Sequence, residues 1–272
     1  MQLSARIAFL VVCAALFLPF HAVAGPIQDN SFLLEEAYNQ EPGIIQHISA
    51  FSRSAETGSW VYSFTEEWPI RGQTHQGSVT LAYADLRVAA GRGIGDVLLN
   101  YRWQAVGDGA VAFAPRLSFV LPTGRQETGL GMGGVGAEVN LPLSVVLGSS
   151  FVSHVNLGGR YVPSASSGSG TAQIASFTIG QSFVWLAHPK LNLLVETVYS
   201  SIERRTKHAS AREEAFTVSP GLRGAIDVGD LQVVPGLAFP LGVGPSRGDR
   251  AVFLYLSFEH PFRLAGPQAP GM

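Results

Sequence analysis

From Ile44 onward the chain zigzags between apolar and modest residues. In 96–105, Val97, Leu99, Tyr101 and Trp103 take the odd positions, while Asp96, Asn100, Arg102 and Gln104 take the even ones. The same period of two runs through Trp60, Tyr62 and Phe64, through Val79, Leu81 and Tyr83, through Leu117, Phe119 and Leu121, and through Val139, Leu141, Leu143 and Val145. A further case is Leu191, Leu193 and Val195 set against Asn192 and Glu196. Successive side chains of a strand point to opposite faces, so each segment has one greasy face and one modest face. The pattern predicts twelve strands, near residues 44–54, 59–67, 75–86, 95–105, 110–121, 134–146, 150–162, 171–186, 191–201, 214–226, 230–242 and 251–262.

The connectors alternate too. Tight turns at 107–109, 147–149, 187–190 and 227–229 interleave with longer polar stretches at 122–133, 163–170, 202–213 and 243–250. Short turns at one end and long loops at the other are the signature of an outer-membrane barrel. A soluble sandwich also alternates, but it fills its solvent face with charge. Here the second face is mostly Ser, Ala, Gly, Asn and Thr, which suits an enclosed interior. Trp68, Trp103 and Trp185 fall near the ends of strands running toward the short turns, where an aromatic girdle belongs. The stretch 139–159 lacks Asp, Glu, Lys and Arg, but Pro142, Gly148, Gly158 and Gly159 argue against a spanning helix. The expected fold is all-β: a transmembrane antiparallel up-and-down β-barrel of about 12 strands, preceded by a short N-terminal helical segment.

The first 24 residues set the compartment. Arg6, the apolar run from Ile7 to Phe20, and Ala22-Val23-Ala24 make a secretory signal peptide cut after Ala24. The apolar run is shorter than the roughly 20 residues a spanning helix needs. Cleavage removes Cys13, the only cysteine, and with it disulfides, thiol nucleophiles and thiolate metal sites. The expected organisation is a signal peptide at 1–24, a periplasmic or lumenal segment at 25–43, a barrel at 44–262 and a tail at 263–272 in the outer membrane. Charged residues are only 14% of the chain and the formal net charge is -2, so no basic excess points to nucleic acid.

The stretch from Asp29-Asn30-Ser31-Phe32-Leu33-Leu34-Glu35-Glu36-Ala37-Tyr38 to His47 resembles the opening of an outer-membrane family named for a phenol-degradation meta pathway (MetA-pathway), whose members are called transporters. Residues 112–124, with Pro115, Arg116, Pro122 and Gly124, and residues 139–145, with Asn140 and Pro142, look like further blocks of it. The resemblance implies a barrel with a transport role, and it brings no catalytic residue or cofactor. Residues 255–262, ending in Phe262, resemble the last strand that barrel-assembly machinery reads, although the chain continues to Met272.

Candidate chemistry is sparse. Residues 131–136 match the dinucleotide fingerprint in letters, but strand-like alternation follows instead of a helix, so a flexible Gly-rich loop tip is the better reading. His154 and Asn156 share a face, and Ser153 beside them is similar to the Ser, His and Asn set of an outer-membrane phospholipase. Adjacent strand residues face opposite ways, so Ser153 and His154 should not pair, leaving a lumenal Ser on another strand as the alternative nucleophile. The scattered histidines and carboxylates predict no metal site. The basic stretch 203–208 reads as a solvated loop, with lipopolysaccharide phosphates as a secondary partner.

Parity assigns the inward set: Glu67, Asp96, Asn100, Arg102, Arg116, Glu138, Asn140, His154, Asn156, Glu196 and Arg223. Both signs occur in it, which predicts cross-lumen ion pairs rather than a single-sign filter. Residues 29–38 are expected to start as a helix capped by Asn30 or Ser31. Phe32, Leu33, Glu35, Glu36 and Tyr38 could plug the lumen. The reading is a channel for passive passage of small solutes, hydrophobic or aromatic by the family resemblance, with the bilayer, lipopolysaccharide, assembly machinery and the solute as partners. No enzyme activity or cofactor is expected. A closed structural or adhesion barrel is the competing class, and an outer-membrane hydrolase is third.

Overall fold

The structure, a computed structural model, describes residues 30–107, 109–167, 170–228 and 231–261. The signal peptide, Asp29, Phe262 and the tail lie outside the described residues. The fold is a closed antiparallel barrel of twelve staves. They are β1 (Ile44–Ser54), β2 (Trp60–Arg71), β3 (His75–Leu86), β4 (Gly91–Ile94 with Val97–Trp103), β5 (Val111–Phe113 with Arg116–Leu121), β6 (Gly136–Leu147), β7 (Phe151–Ser167), β8 (Gly170–His188), β9 (Leu191–Arg205), β10 (Ser210–Gly224 with Ile226–Val228), β11 (Leu231–Ala238 with Leu241–Val243) and β12 (Ala251–Pro261). Each stave pairs with the next, and β1 closes on β12 in a register running from Ile44 opposite Pro261 to Ser54 opposite Ala251. Closure removes the unpaired edges that a sheet cannot expose to hydrocarbon.

Four staves are broken where the sequence dictates. Pro115 and Pro240 lack the N–H a ladder needs, and they fall in the breaks of β5 and β11. Two stretches expected as loops are strand instead. Residues 163–167 and Gly170 continue the β7–β8 hairpin, and most of 202–213 continues β9–β10. Pro163 reads as a breaker in the sequence, but it sits at a register shift where Ala172 pairs with Ala165 and Ile174 with Val162, a bulge that tolerates proline. The 17-residue β7 and 19-residue β8 exceed the roughly 9–11 residues a tilted strand needs to cross a bilayer. Their excess projects as a paired hairpin at the loop end. The basic stretch is likewise the tip of a β-hairpin, in which Glu203 accepts hydrogen bonds from both Arg205 and Arg212.

Burial follows the zigzag. In β8, Ile174, Gly180, Ser182 and Val184 are buried while Phe177, Ile179, Phe183 and Trp185 are exposed. Leu81, Leu99, Leu117, Val139, Leu157, Leu193, Val195, Leu222 and Leu254 extend this outer apolar band around the barrel. A continuous band of this kind far exceeds the few hundred Å² a soluble monomer exposes, and it matches a hydrocarbon surround. Trp103 and Trp185 are exposed near the turn end, and Trp68 lies so flat over Gly77 that a Cβ there would come 3.1 Å from its ring.

The inner face is not uniformly polar. Ile48 and Ala50 of β1 pack with Ala238, Phe253 and Tyr255 along the closing seam. At the loop end Val162, Ala165 and Ile174 cluster with Met132. No member of this fold's described residues forms a helix long enough to span a membrane; the spans here are strands.

Substituting Leu99→Arg should lower the stability of the barrel in lipid vesicles by about 2–4 kcal/mol, the cost of an arginine near the midplane of a barrel's outer band. Urea titration of vesicle-folded protein measures this, and an unchanged midpoint would mean that Leu99 does not face lipid.

Candidate functional site

The inner face is built from short polar side chains that the zigzag turns inward on neighbouring staves. Across β4, β5, β6 and β7 it carries an ion-pair ladder. Arg116 donates to Glu138 at 2.7 Å, and Arg160 donates through Nε to the other oxygen of Glu138 at 2.7 Å. Arg116 also donates to Asn100 Oδ1 at 2.9 Å and Ser118 Oγ at 2.8 Å. Arg102 lies 3.6 Å from Glu67, which accepts a hydrogen bond from Gln76 at 2.8 Å. Taking such charges out of water costs several kcal/mol per ion, so the ladder fixes geometry more than it adds stability.

Residues 30–43 do not form the expected helix. They run as bends and extended chain through the interior. A helix is roughly 10–12 Å across, too wide for a lumen already filled by wall side chains, whereas a single extended strand fits. Its peptide groups are satisfied by the wall instead of by each other. The N–H groups of Phe32, Leu33 and Leu34 converge on one oxygen of Glu196 at 3.1, 2.8 and 3.2 Å. Asn156 accepts from the Glu35 N–H at 2.9 Å and donates to the Glu35 carbonyl at 2.7 Å. Ala37 donates to Ser144 Oγ, Asn39 to Gln104 and Gln40 to Gln76, at 2.8, 2.8 and 2.7 Å. Arg102 returns three bonds, to Asn39 Oδ1 and to the carbonyls of Glu36 and Tyr38.

These contacts trace an arch. Asn30 receives a hydrogen bond from Arg223 near the turn end, Phe32 to Glu35 rise to the middle of the barrel, and Asn39 and Gln40 return to the turn end beside Gln104 and Gln76. The wall is cut to receive it. Phe32 sits against Phe253 and Tyr255, with ring centroids 5.5 and 5.3 Å away. A Cβ on Gly236 would lie 2.5 Å from the Phe32 ring and one on Gly221 would lie 2.8 Å away. Gly180 clears Leu34 in the same way, at 2.6 Å. The arch therefore sits in seats that only glycine provides.

The residues expected to face inward have different partners. Glu67, Asn100, Arg102, Arg116, Glu138, Asn140 and Asn156 form one network, in which Asn140 donates to Asn156 at 2.9 Å. Glu196 and Arg223 hold the arch. Asp96 faces the loop end, where its two oxygens accept the N–H groups of Gly124 and Met132 at 3.0 and 2.8 Å and pin the loop after β5. The Gly-rich stretch in that loop is packed and not a free tip. A Cβ on Gly134 would meet the Ser164 carbonyl at 2.3 Å, and one on Gly131 would meet Asp96 at 2.4 Å. His154 pairs through Nδ1 with Ser144 on β6 at 2.7 Å, while Ser153 donates to the Ser182 carbonyl. Both Ser144 and His154 are fully buried, and the Ser144 oxygen also accepts the Ala37 N–H. Among the described residues no group of three metal-binding side chains converges.

The inward set left out Arg160, Gln76 and the three seat glycines, and also Gln104 and Ser144, which alternation already puts on the modest face. Arg160 has the same even parity as His154 and Asn156, so alternation could have found it. The glycine seats carry no one-dimensional signal.

Above the arch lies a cavity of about 170 Å³. The apex residues Leu33, Leu34 and Glu35 floor it, and Arg116, Glu138, Asn140, Arg160, Ser176 and Thr178 are among its lining.

No sequence family and no curated protein matches the chain. Its fold is similar to that of the COG4313 outer membrane channel from Pseudomonas putida F1, at 12% identity and a TM-score of 0.63, over 85% of this chain and all of that one. It also resembles the KdgM porin, at 7% identity and a TM-score of 0.53, over 80% of this chain and 99% of the porin. The fold is thus that of porin-like outer-membrane barrels.

Glu196→Ala removes the shared acceptor of three arch amides, each bond to a charged group being worth about 1.5–3 kcal/mol. Hydrogen exchange at Phe32, Leu33 and Leu34 should accelerate by about a hundredfold or more, while amides of the barrel ladders keep their protection. Unchanged exchange at those three positions would show that the carboxylate does not hold the arch.

Proposed function

We propose that this chain is an outer-membrane channel for passive passage of small solutes, with residues 30–43 as its internal stopper. The observation that carries this reading is the fit of the arch: a barrel with no need of a conduit would fill its interior with wall side chains alone. Here a separate segment is seated on Gly180, Gly221 and Gly236 and bonded to side chains of nine staves, β1 and β3 to β10. The signal peptide read at 1–24 and the outer apolar band support export to the outer membrane. The start of β1 at Ile44 and the end of β12 at Pro261 lie together on the tight-turn side, so we read that side as periplasmic and the projecting hairpins as outward.

A solute with an apolar or aromatic body is what the meta-pathway family resemblance suggests, and the partly exposed Met132 at the loop end and Ile48 and Ala50 along the closing seam are apolar inner side chains it would touch. Selectivity then comes from the ladder, by size and charge. Hydrolysis is disfavoured because the Ser144 hydroxyl lies fully buried beneath Ala37. Bilayer lipid surrounds the apolar band. The arginines and Lys207 at the β9–β10 tip would meet lipopolysaccharide phosphates, and the aromatic end of β12 would meet the assembly machinery.

Planar-bilayer recording tests the stopper. The full mature chain should give small, infrequent conductance steps, and deletion of 25–43 should raise the conductance several-fold. Silence in both proteins would favour a closed structural barrel.

A further inference from the structure

The three guanidiniums of the ladder, Arg102, Arg116 and Arg160, face three carboxylates, but only Glu67 and Glu138 belong to the wall. The third is Glu35, carried in by the arch. Its Oε1 lies 2.8 Å from Arg116 and its Oε2 lies 3.8 Å from Arg102. Without the arch, this ladder keeps three positive charges against two negative ones, while Glu196, Glu259 and Arg223 lie elsewhere on the inner face. Arg116 is the hinge of the cluster: one nitrogen is shared between Glu35 and Glu138, while its buried Nε has no hydrogen-bond partner among the described residues. With Glu35 gone, Arg116 has two of its five N–H groups without a partner among the described residues, its Nε and one on the nitrogen that Glu35 shared with Glu138, and a guanidinium with free donors is a site for a carboxylate, the planar anion its donor fork matches.

The surroundings of Glu35 specify more than charge. The cavity of about 170 Å³ opens on this carboxylate, and its lining mixes Leu33 and Leu34 with the hydroxyls of Ser176 and Thr178. Farther toward the loop end Val162, Ala165 and Ile174 pack as a buried cluster against Met132. A molecule in the cavity meets Leu33 and Leu34 beside the guanidiniums of Arg116 and Arg160.

We propose that the Glu35 carboxylate is a built-in stand-in for the solute's own, and that the channel serves small organic acids with an apolar body. Such an acid takes over Arg116 from Glu35, which removes the charge-assisted bond at the apex of the arch and favours its release. This rests on the channel reading above and adds to it the solute's chemical class and the group it displaces.

The test uses the full mature protein in planar bilayers at pH 8, with benzoate and benzylammonium as probes of similar size and opposite charge. Reversal potentials under sodium benzoate and benzylammonium chloride gradients should give a benzoate permeability at least tenfold higher. Glu35→Gln should raise the benzoate current several-fold and the benzylammonium current much less, so that the ratio rises, and Arg116→Gln should bring the ratio close to one. Retained heat-modifiable migration on gels identifies folded variants, and the wild-type ratio alone decides the matter if a variant does not fold. A wild-type ratio at or below one overturns the proposal, as does an equal rise of both currents in Glu35→Gln, which would make the arch a simple stopper. Absence of current with either ion in wild type and in the 25–43 deletion overturns the channel reading itself.

Discussion

A peptide segment inside a β-barrel cannot pair with the wall's backbone, because the staves have used their N–H and C=O groups on one another. Whatever occupies the interior has to be matched by side chains, and leaving a buried peptide group unmatched costs on the order of 1–3 kcal/mol. This constraint explains why the inner face of the chain is rich in Asn, Gln, Ser and Glu. Gln76, Gln104, Ser144, Asn156 and Glu196 each meet a peptide N–H of the arch. The modest residues of the zigzag are the recognition surface for residues 30–43, and the arch's irregular path is the one that brings each amide to an acceptor.

The same constraint separates what a reader of the sequence can see from what stays hidden. Alternation is a local property with a period of two, so Leu99, Phe119 and Val195 declared the outer face and the twelve staves followed. Strand ends were harder. Pro163 and the Ser- and Gly-rich stretch after it look like a loop because propensity registers the missing donor, while the pairing of Ala172 with Ala165 that accommodates the proline in a bulge is a contact between strands. The helix expected from the capping signals at Asn30 and Ser31 failed for a related reason. Helix propensity is a weak prior that tertiary partners override, and here Glu196 offered Phe32, Leu33 and Leu34 an acceptor that the helix would have left to Ncap and water.

Parity placed the charged residues on the inner face but could not say whom they serve. Asp96 and Glu196 look equivalent in the sequence. One is taken up by the amides of a loop at Gly124 and Met132, the other by the amides of the arch. The distinction depends on depth along the barrel, which a period of two does not encode. The seats at Gly180, Gly221 and Gly236 are likewise legible only once Phe32 and Leu34 are seen against them.

The arch precedes β1 in the chain, yet its partners are spread to β10, with 193 positions separating Asn30 from Arg223. Contacts that distant are formed late, since the loop-closure entropy has to be met by structure already in place. Its seats exist only after β12 has zipped onto β1, because Phe32 leans on Phe253 and Tyr255 of the last stave and on Gly236 of the one before it. The circumference therefore closes before residues 30–43 take their seats, and the finished interior is the last part of the molecule to form.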